Sequence, residues 1–292
     1  MKELIKLARQ NKKYGSKFDI SVVIPNYNYS KYLYERVKSV LKQKVRIHEI
    51  IILDDNSTDD SVKIIKEIDD KLSPYIDVRT YYNTENSGSV FKQWALGFKY
   101  AKGDYVWIAE ADDSCDDNLL LTLSKKLTDD VVISYTDSLI IDENNKVIAP
   151  SVKDEIDIRN IGHWDNDFKN DGLDEILNYA FLNLTLFNVS SALIRNGDYE
   201  SIFEICEHFK QAGDWMFYIN VMKYGNVLYS NEVHNYYRWH GSNISFKVNH
   251  EKRLREVKYI YRFINDEYNL SLDKKRLIEK RYKYLLDNYF KY

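Results

Sequence analysis

The first half of the chain is a series of short apolar runs, each followed by residues at helical spacing, and this alternation most limits what it can fold into. Ile20 to Ile24 is apolar except for Ser21 and stops at Pro25, as a strand buried in a parallel sheet does. Leu33, Val37, Val40 and Leu41 then recur at helical intervals. Ile50 to Leu53 is a second run, ending in Asp54-Asp55, and Ser57-Thr58-Asp59 supplies helix-start chemistry for Ile64, Ile65 and Ile68. Val78 to Tyr82 is a third strand. Phe91, Trp94, Ala95, Phe98 and Ala101 space a helix closed by Gly103. Tyr105 to Ile108 is a fourth strand and runs into Glu110-Ala111-Asp112-Asp113. Strands joined through helices require right-handed crossovers and parallel pairing. The expected fold class is therefore α/β, with a Rossmann-like, mostly parallel sheet flanked by helices. Its acidic groups fall at the carboxyl ends of strands, where open sheets of this kind bind ligands.

The second half is less regular. Val131 to Tyr135, Leu139 to Ile141 and Val189 to Ile194 read as short strands, and Tyr236 to Trp239 as a short strand or turn. Asp198 to Phe209 and Asp214 to Tyr224 read as helices, and the polar stretch Asp154 to Asp171 as a loop. From about Glu251 onward two helices rich in Lys, Arg and Tyr form a C-terminal helical extension. No internal repeat is present.

Other classes are excluded by what the chain lacks. A net charge of -3 carries no nucleic-acid signature. Two cysteines in 292 residues make no disulfide framework and fit a reducing, cytoplasmic setting. The Lys-rich N-terminus has no long apolar run, and no apolar stretch of about 20 residues could span a membrane. Neither a glycine-rich phosphate loop nor a Gly-x-Ser-x-Gly elbow occurs. The missing Gly-x-Gly-x-x-Gly after the first strand counts against a dinucleotide oxidoreductase.

Three carboxylates directly after a buried strand repel one another, and a hard divalent ion, Mg2+ or Mn2+, with diphosphate oxygens in its shell would neutralise Glu110, Asp112 and Asp113. The competing reading is a helix cap, since Asp112, Asp113 and Ser114 precede Asp116 to Leu121. Asp54-Asp55 could accept from a base N–H or a ribose hydroxyl. Ser57 and Asp59 read better as caps. His48, His163, His208, His234 and His250 lack metal-ligand spacing and read as structural.

Taken in order, the motifs resemble family 2 glycosyltransferases of the GT-A type. The residues that carry this are Val22-Val23-Ile24-Pro25-Asn26-Tyr27-Asn28, Asp54-Asp55-Asn56-Ser57-Thr58-Asp59, Asn86-Ser87-Gly88 and Phe91 to Tyr105. Trp107 to Asp113 resembles the Asp-x-Asp metal motif, Gly213-Asp214-Trp215 the Glu-Asp-x motif of the catalytic base, and Tyr237 to Ser242 the closing Arg-x-His segment. The resemblance covers roughly Asp19 to Ser245. It implies a basic N-terminal arm (1–18), a GT-A domain (19–245) with a nucleotide half (19–135) and an acceptor half (136–245), and the helical extension (246–292).

The resemblance also implies roles. Pro25, Tyr27 and Asp55 would surround the nucleobase. Asn28, Asp54, Asn86, Gly88, Lys92, Glu110 and Ala111 complete the donor-binding set. Asp112 would contact ribose or metal, and Asp113 the metal. His240 would complete the metal shell or touch the diphosphate, and Arg238 would support the same charge. Asp214 would be the general base of an inverting transfer, taking the acceptor's proton as its oxygen attacks the anomeric carbon. The implied partners are a nucleotide-sugar donor, such as a UDP-sugar, and a glycan or polyprenyl-linked acceptor of bacterial surface polysaccharide synthesis. Two departures stand out: Glu110 is one carbon longer than the usual Asp, and Gly213 replaces a frequent Glu. Both favour the alternative of a nucleotide-sugar binding module without activity.

The tail carries more Lys and Arg than Asp and Glu. On Lys274 to Tyr292, Ile278, Tyr282, Leu285 and Tyr289 form an apolar stripe, with Arg276, Lys280, Lys283 and Lys291 on another face. Such a helix either docks on anionic lipid, placing the protein at the inner face of a membrane, or packs on the core with a solvated basic face. The second is the ordinary globular case.

Overall fold

The computed structural model describes residues 1–241 and 249–289. The expectations for Ser242 to Ser245, for the side chain of Tyr289 and for Lys291 lie outside the described residues, as does the boundary drawn after residue 245.

The alternation of the first half becomes α1 (Lys2–Asn11), β1 (Ile20–Asn26), α2 (Ser30–Leu41), β2 (Glu49–Asp54), α3 (Ser61–Leu72), β3 (Asp77–Tyr82), α4 (Val90–Tyr100) and β4 (Tyr105–Ile108). It continues with β5 (Ser114–Cys115), α5 (Leu119–Lys125), β6 (Val131–Ile141), β7 (Val147–Ala149), α6 (Lys153–Ile156), β8 (Phe168–Asp171) and α7 (Gly172–Glu175). The chain closes with β9 (Ala192–Arg195), α8 (Glu200–Cys206), α9 (Gly213–Met222), β10 (Asn226–Arg238), α10 (His250–Tyr268) and α11 (Leu272–Tyr289). All strands join one sheet in the order β3-β2-β1-β4-β9-β6-β10-β5, with β7 on β6 and β8 on β10. β1, β2, β3 and β4 pair in parallel, as do β6 and β10. β9 lies antiparallel between β4 and β6. The mostly parallel sheet flanked by helices is the expected architecture.

Every residue of β1 and β2 is buried, because helices cover both faces. One core, with Leu33, Val37, Ile65 and Ile68, fills the face under α1, α2, α3 and α5. The other, with Phe98, Phe203, Phe217, Tyr261 and Ile264, lies under α4, α8, α9 and α10. α1 is docked through Leu4 and Ala8, and Asn11 bonds Gln43 O, Val45 O and Ile47 N.

Several local readings change. The two strands expected at 131–135 and 139–141 are one, and two of the polar residues between them have partners: Asp137 accepts from Ser138 N and Val152 N, and Ser138 Oγ accepts from Asn235 Nδ2. Tyr236 to Trp239 is the end of the long β10. Asp154 to Asp171 holds a short helix, a 3-10 turn and β8 rather than a plain loop. Val189 to Ser191 is a 3-10 turn, and the strand starts at Ala192. The tail is two helices as expected. In α11, Leu285 is buried and Ile278 and Tyr282 pack against the core, while Arg276, Lys280 and Lys283 are exposed. The apolar stripe is therefore a packing face. Among the described residues no helix is long and apolar enough to cross a membrane.

Candidate active site

The acidic run after β4 does not cap a helix. It leads into β5, and α5 starts only at Leu119. Glu110, Asp112 and Asp113 are instead packed together beside the end of β10. Asp113 is buried, and both its oxygens are held: Oδ1 accepts from Arg238 N (2.9 Å), and Oδ2 from Asn188 Nδ2 (3.0 Å) and Ser190 Oγ (2.7 Å). Asp112 Oδ2 lies 3.0 Å from His240 Nε2, and Asp112 also accepts from the Tyr29 hydroxyl. The His240 ring is boxed by Tyr29 and Tyr32, at centroid distances of 5.5 and 5.4 Å. Glu110 Oε1 takes the indole N–H of Trp94 at 2.8 Å. Burial, followed by the Asp112 charge, pushes Glu110 up to about 8 and Asp113 up to about 6.

Arg238 is buried and spends its donors on protein: Nε on Asp112 O, Nη1 on Asp142 O and Asn145 Oδ1, and Nη2 on Glu35 Oε1. It braces the loop that carries Asp112 and stacks over Tyr32 at 4.8 Å.

The residues expected on the nucleotide side form a second cluster at the ends of β1 and β2. Asp54 is buried and pins the turn, accepting from Asn26 Nδ2 and Ser57 N. Asn28 sits in the left-handed region (φ 59°), which Asn tolerates, and its Oδ1 accepts from Thr58 N and Asp59 N. Asp55 collects Asn83 Nδ2, Ser87 N, Ser87 Oγ and Gln93 Nε2. Asn86 donates to Asp55 O, and Gly88 takes a positive φ of 64°. Pro25 and Ala111 are buried, whereas Tyr27 is 45% exposed and free to face a planar ligand. Lys92 is surface-exposed, 3.9 Å from Glu207. Ser57 and Asp59 are local ties, as expected: Asp59 accepts from Ser30 N and Ser61 N, joining the starts of α2 and α3.

Asp214 is the second residue of α9, not its cap, which is Ala212. Its Oδ1 accepts from Trp215 N at 2.7 Å. Burial raises its carboxyl to about 6, against the pull of that N–H and of Arg253. A chain of contacts joins it to the acidic cluster: Gly213 abuts Phe91, Phe91 meets Trp94 edge-on at 5.3 Å, and Trp94 bonds Glu110.

A carboxylate and an imidazole are donor types that a divalent cation accepts. Among the described residues no three His, Cys, Asp or Glu side chains form a metal cage. Asp112 and His240 offer a carboxylate and an imidazole, and Asp113 retains a lone pair on Oδ1. An ion of the Mg2+ or Mn2+ kind takes one or two carboxylates and completes its shell from substrate phosphates and water.

The family model for glycosyl transferase family 2 matches residues 21–191, more than half of the chain. The chain belongs to glycosyl transferase family 2.

Among curated relatives, GlyG of Streptococcus pneumoniae serotype 4 is 38% identical over 117 residues, covering 39% of this chain and 38% of GlyG. The poly(ribitol-phosphate) beta-N-acetylglucosaminyltransferase TarS of Staphylococcus aureus is 32% identical over 95 residues, 32% of this chain and 16% of TarS. The chain thus matches well under half the length of these relatives. In three dimensions it resembles S. aureus TarS 1-349 in complex with UDP-GlcNAc, with a TM-score of 0.59 at 17% identity over 90% of this chain and 71% of that one. It also resembles the mannosyltransferase PcManGT from Pyrobaculum calidifontis in complex with GDP-Man and Mn2+, with a TM-score of 0.56 at 13% identity over 97% of this chain and 77% of that one. These likenesses place the fold among GT-A glycosyltransferases.

Within this family-2 fold, the two departures have local partners. A Cβ at Gly213 would meet Phe91 Cε2 at 2.5 Å, so the phenyl ring stands where a side chain at 213 would begin. The longer Glu110 reaches Trp94. Sequence reasoning missed Asn188 and Ser190, which hold Asp113; the signal available was polar side chains interrupting an apolar run.

Proposed function

We propose that this chain transfers a sugar from a nucleoside-diphosphate donor, a UDP-sugar, to a hydroxyl of a glycan or lipid-linked acceptor in surface polysaccharide synthesis, with inversion at the anomeric carbon. The observation that carries this reading is the pair Asp112–His240 beside buried Asp113, with contacts through Glu110, Trp94 and Phe91 running to Gly213, the neighbour of Asp214. The family-2 relatives named N-acetylglucosaminyltransferase, and the neighbour bound to UDP-GlcNAc, support the donor class.

Asp112 and His240, with the remaining lone pair on Asp113 Oδ1, would hold Mn2+ or Mg2+. When bound, the ion offsets charge growing on the leaving diphosphate. Exposed Tyr27 lies against the base, with Pro25 as its floor. Asp54, Asn28 and Asp55 keep the surrounding turns in place, with Asn86, Gly88 and Lys92 along the donor and Ala111 filling the space behind Asp112. Arg238 holds the loop of Asp112 rigid. Asp214 takes the proton from the acceptor hydroxyl while that oxygen forms the new bond to the anomeric carbon and the bond to the diphosphate oxygen breaks. Its raised affinity for protons suits a base working near neutral pH. The protein works on the cytoplasmic side, and the exposed Arg276, Lys280 and Lys283 of α11 meet anionic lipid when the acceptor is lipid-linked.

A thermal-shift series with UDP, GDP, dTDP and NAD, with and without Mn2+, tests the donor. Stabilisation by one nucleoside diphosphate that requires the metal is the expected result. Release of the same diphosphate from its sugar conjugate then separates an enzyme from a binding module. Stabilisation by NAD alone would overturn the reading.

A further inference from the structure

The segment just ahead of Asp214 is held from the C-terminal extension. Glu256, in the middle of the second turn of α10, turns its carboxylate onto three consecutive backbone amides. Oε1 accepts from Lys210 N at 2.8 Å, and Oε2 from Gln211 N at 3.0 Å and Ala212 N at 2.9 Å. These amides precede the first turn of α9, where Ala212 makes no side-chain cap of its own. A charged acceptor on such a row of N–H groups fixes the path of the chain more firmly than a neutral one. From the same segment Lys210 Nζ donates to Gly88 O at 2.8 Å, in the turn expected to line the donor. Residues 210–212 thus run as a strap from the donor-side turn to α10, and Asp214 follows two residues later. Packing supports the arrangement, since the Trp215 ring meets Tyr261 of α10 edge-on at 5.6 Å.

We propose that Glu256 is the positioning residue for Asp214, setting where the carboxylate stands through the strap it holds. This rests on the reading of Asp214 as the base. It gives the C-terminal extension a part in the reaction that the family-matched residues 21–191 do not contain. Asp214 is faced by Arg253 and Glu256 from α10, Tyr218 from its own helix and Cys206 from α8, and Tyr218 also feels Glu110. Removing the Glu256 charge removes a group that raises the Asp214 carboxyl, and a loosened strap lets in water, which acts in the same direction.

The test compares the full chain with Glu256→Gln, which keeps the shape and one acceptor oxygen, and with Glu256→Ala. Amide hydrogen exchange is read at residues 210–212, and the Asp214 carboxyl is titrated by carbon-13 NMR. Both variants are expected to exchange these amides at least about tenfold faster, and the Asp214 midpoint to fall toward the ordinary carboxylate range. With a donor identified, kcat is expected to drop at least about tenfold while the donor KM moves by less than about twofold. A helix contact that only adds stability would shift melting and leave the exchange at 210–212 and kcat in place, since loss of the Glu256 charge alone moves the midpoint. An unmoved midpoint with unmoved exchange in folded Glu256→Gln overturns the proposal even if Glu256→Ala fails to fold. Failure of the base reading shows separately, as turnover by Asp214→Asn with the strap amides still protected.

Discussion

His240 Nε2 stands 3.0 Å from Asp112 Oδ2, so the residue two beyond the last strand is joined to the loop that follows β4. Their side chains are only 1% and 11% exposed. A carboxylate and an imidazole brought together with so little water are each other's partner until a cation takes the place of the shared proton.

That exchange makes the pair the sensitive point for the metal. Asp112→Asn and His240→Ala are each expected to weaken Mn2+-dependent binding of UDP at least about tenfold. Calorimetry with and without Mn2+ reads the effect. Binding that stays metal-dependent at wild-type strength in both variants would remove the pair from the ion's shell.

Asp113 is expected to behave differently. An amide in its place would aim an N–H at Arg238 N or at Asn188 and Ser190, leaving buried donors without an acceptor. Asp113→Asn should therefore cost about 2–3 kcal/mol of stability as well as weakening metal-dependent binding. A denaturant midpoint equal to wild type would show that the network tolerates the change.

Asp214 sets stability against activity. Its folded value of about 6 lies above the ordinary 3.8, because burial disfavours the ionised form. Below pH 3.8 the group is neutral in both states and costs nothing; as pH rises through 6, the folded protein carries an ionised, half-buried carboxylate and loses stability. A gap of about two units corresponds to roughly 3 kcal/mol at pH 7. Asp214→Asn is therefore expected to melt higher than wild type at pH 7, with the difference fading toward pH 4. Turnover should vanish in the variant, and in the wild type it should rise with pH through an acid limb near 6. Turnover within a few-fold of wild type would falsify the base assignment.

The Gly213–Phe91 contact predicts a coupled pair. Gly213→Ala places a methyl against the ring, an overpacking that costs about 1–3 kcal/mol. Phe91→Ala opens the space at its own cavity cost of about 3 kcal/mol or more. The double variant should be more stable than the sum of the single losses allows, by about 1 kcal/mol in a double-mutant cycle. Additive losses would mean that the backbone at 213 shifts instead.

For α11, replacing Arg276, Lys280 and Lys283 with Glu should leave melting within about a degree, since these positions are exposed. The same variant should lose co-sedimentation with anionic vesicles at low salt, each basic residue contributing about 1 kcal/mol near the surface. A wild-type protein that ignores such vesicles leaves the helix with its packing role alone.

What the sequence determined by itself was the periodic and the local. Ile20–Ile24, Ile50–Leu53 and Tyr105–Ile108 read as strands because buried parallel strands need near-continuous apolar runs, and acids follow the second and third of them. The order of the motifs singled out Asp112, Asp113, Asp214 and His240 as candidates, and the fold brings Asp112 to His240. Tertiary structure decided what depends on contacts between distant segments. A polar Thr136-Asp137-Ser138 reads as a break until Val152 arrives to satisfy Asp137 and lets β6 run on. Asp112-Asp113 by itself reads as a cap until the end of β10 lies against it and β5, not a helix, follows directly. Arg238 reads as a ligand for diphosphate until Glu35, Asp142 and Asn145 surround its guanidinium. Glu256 carried no signal at all, because a carboxylate on an amphipathic helix looks like any solvated charge. Only the docking of α10 brings it to the three amides ahead of Asp214.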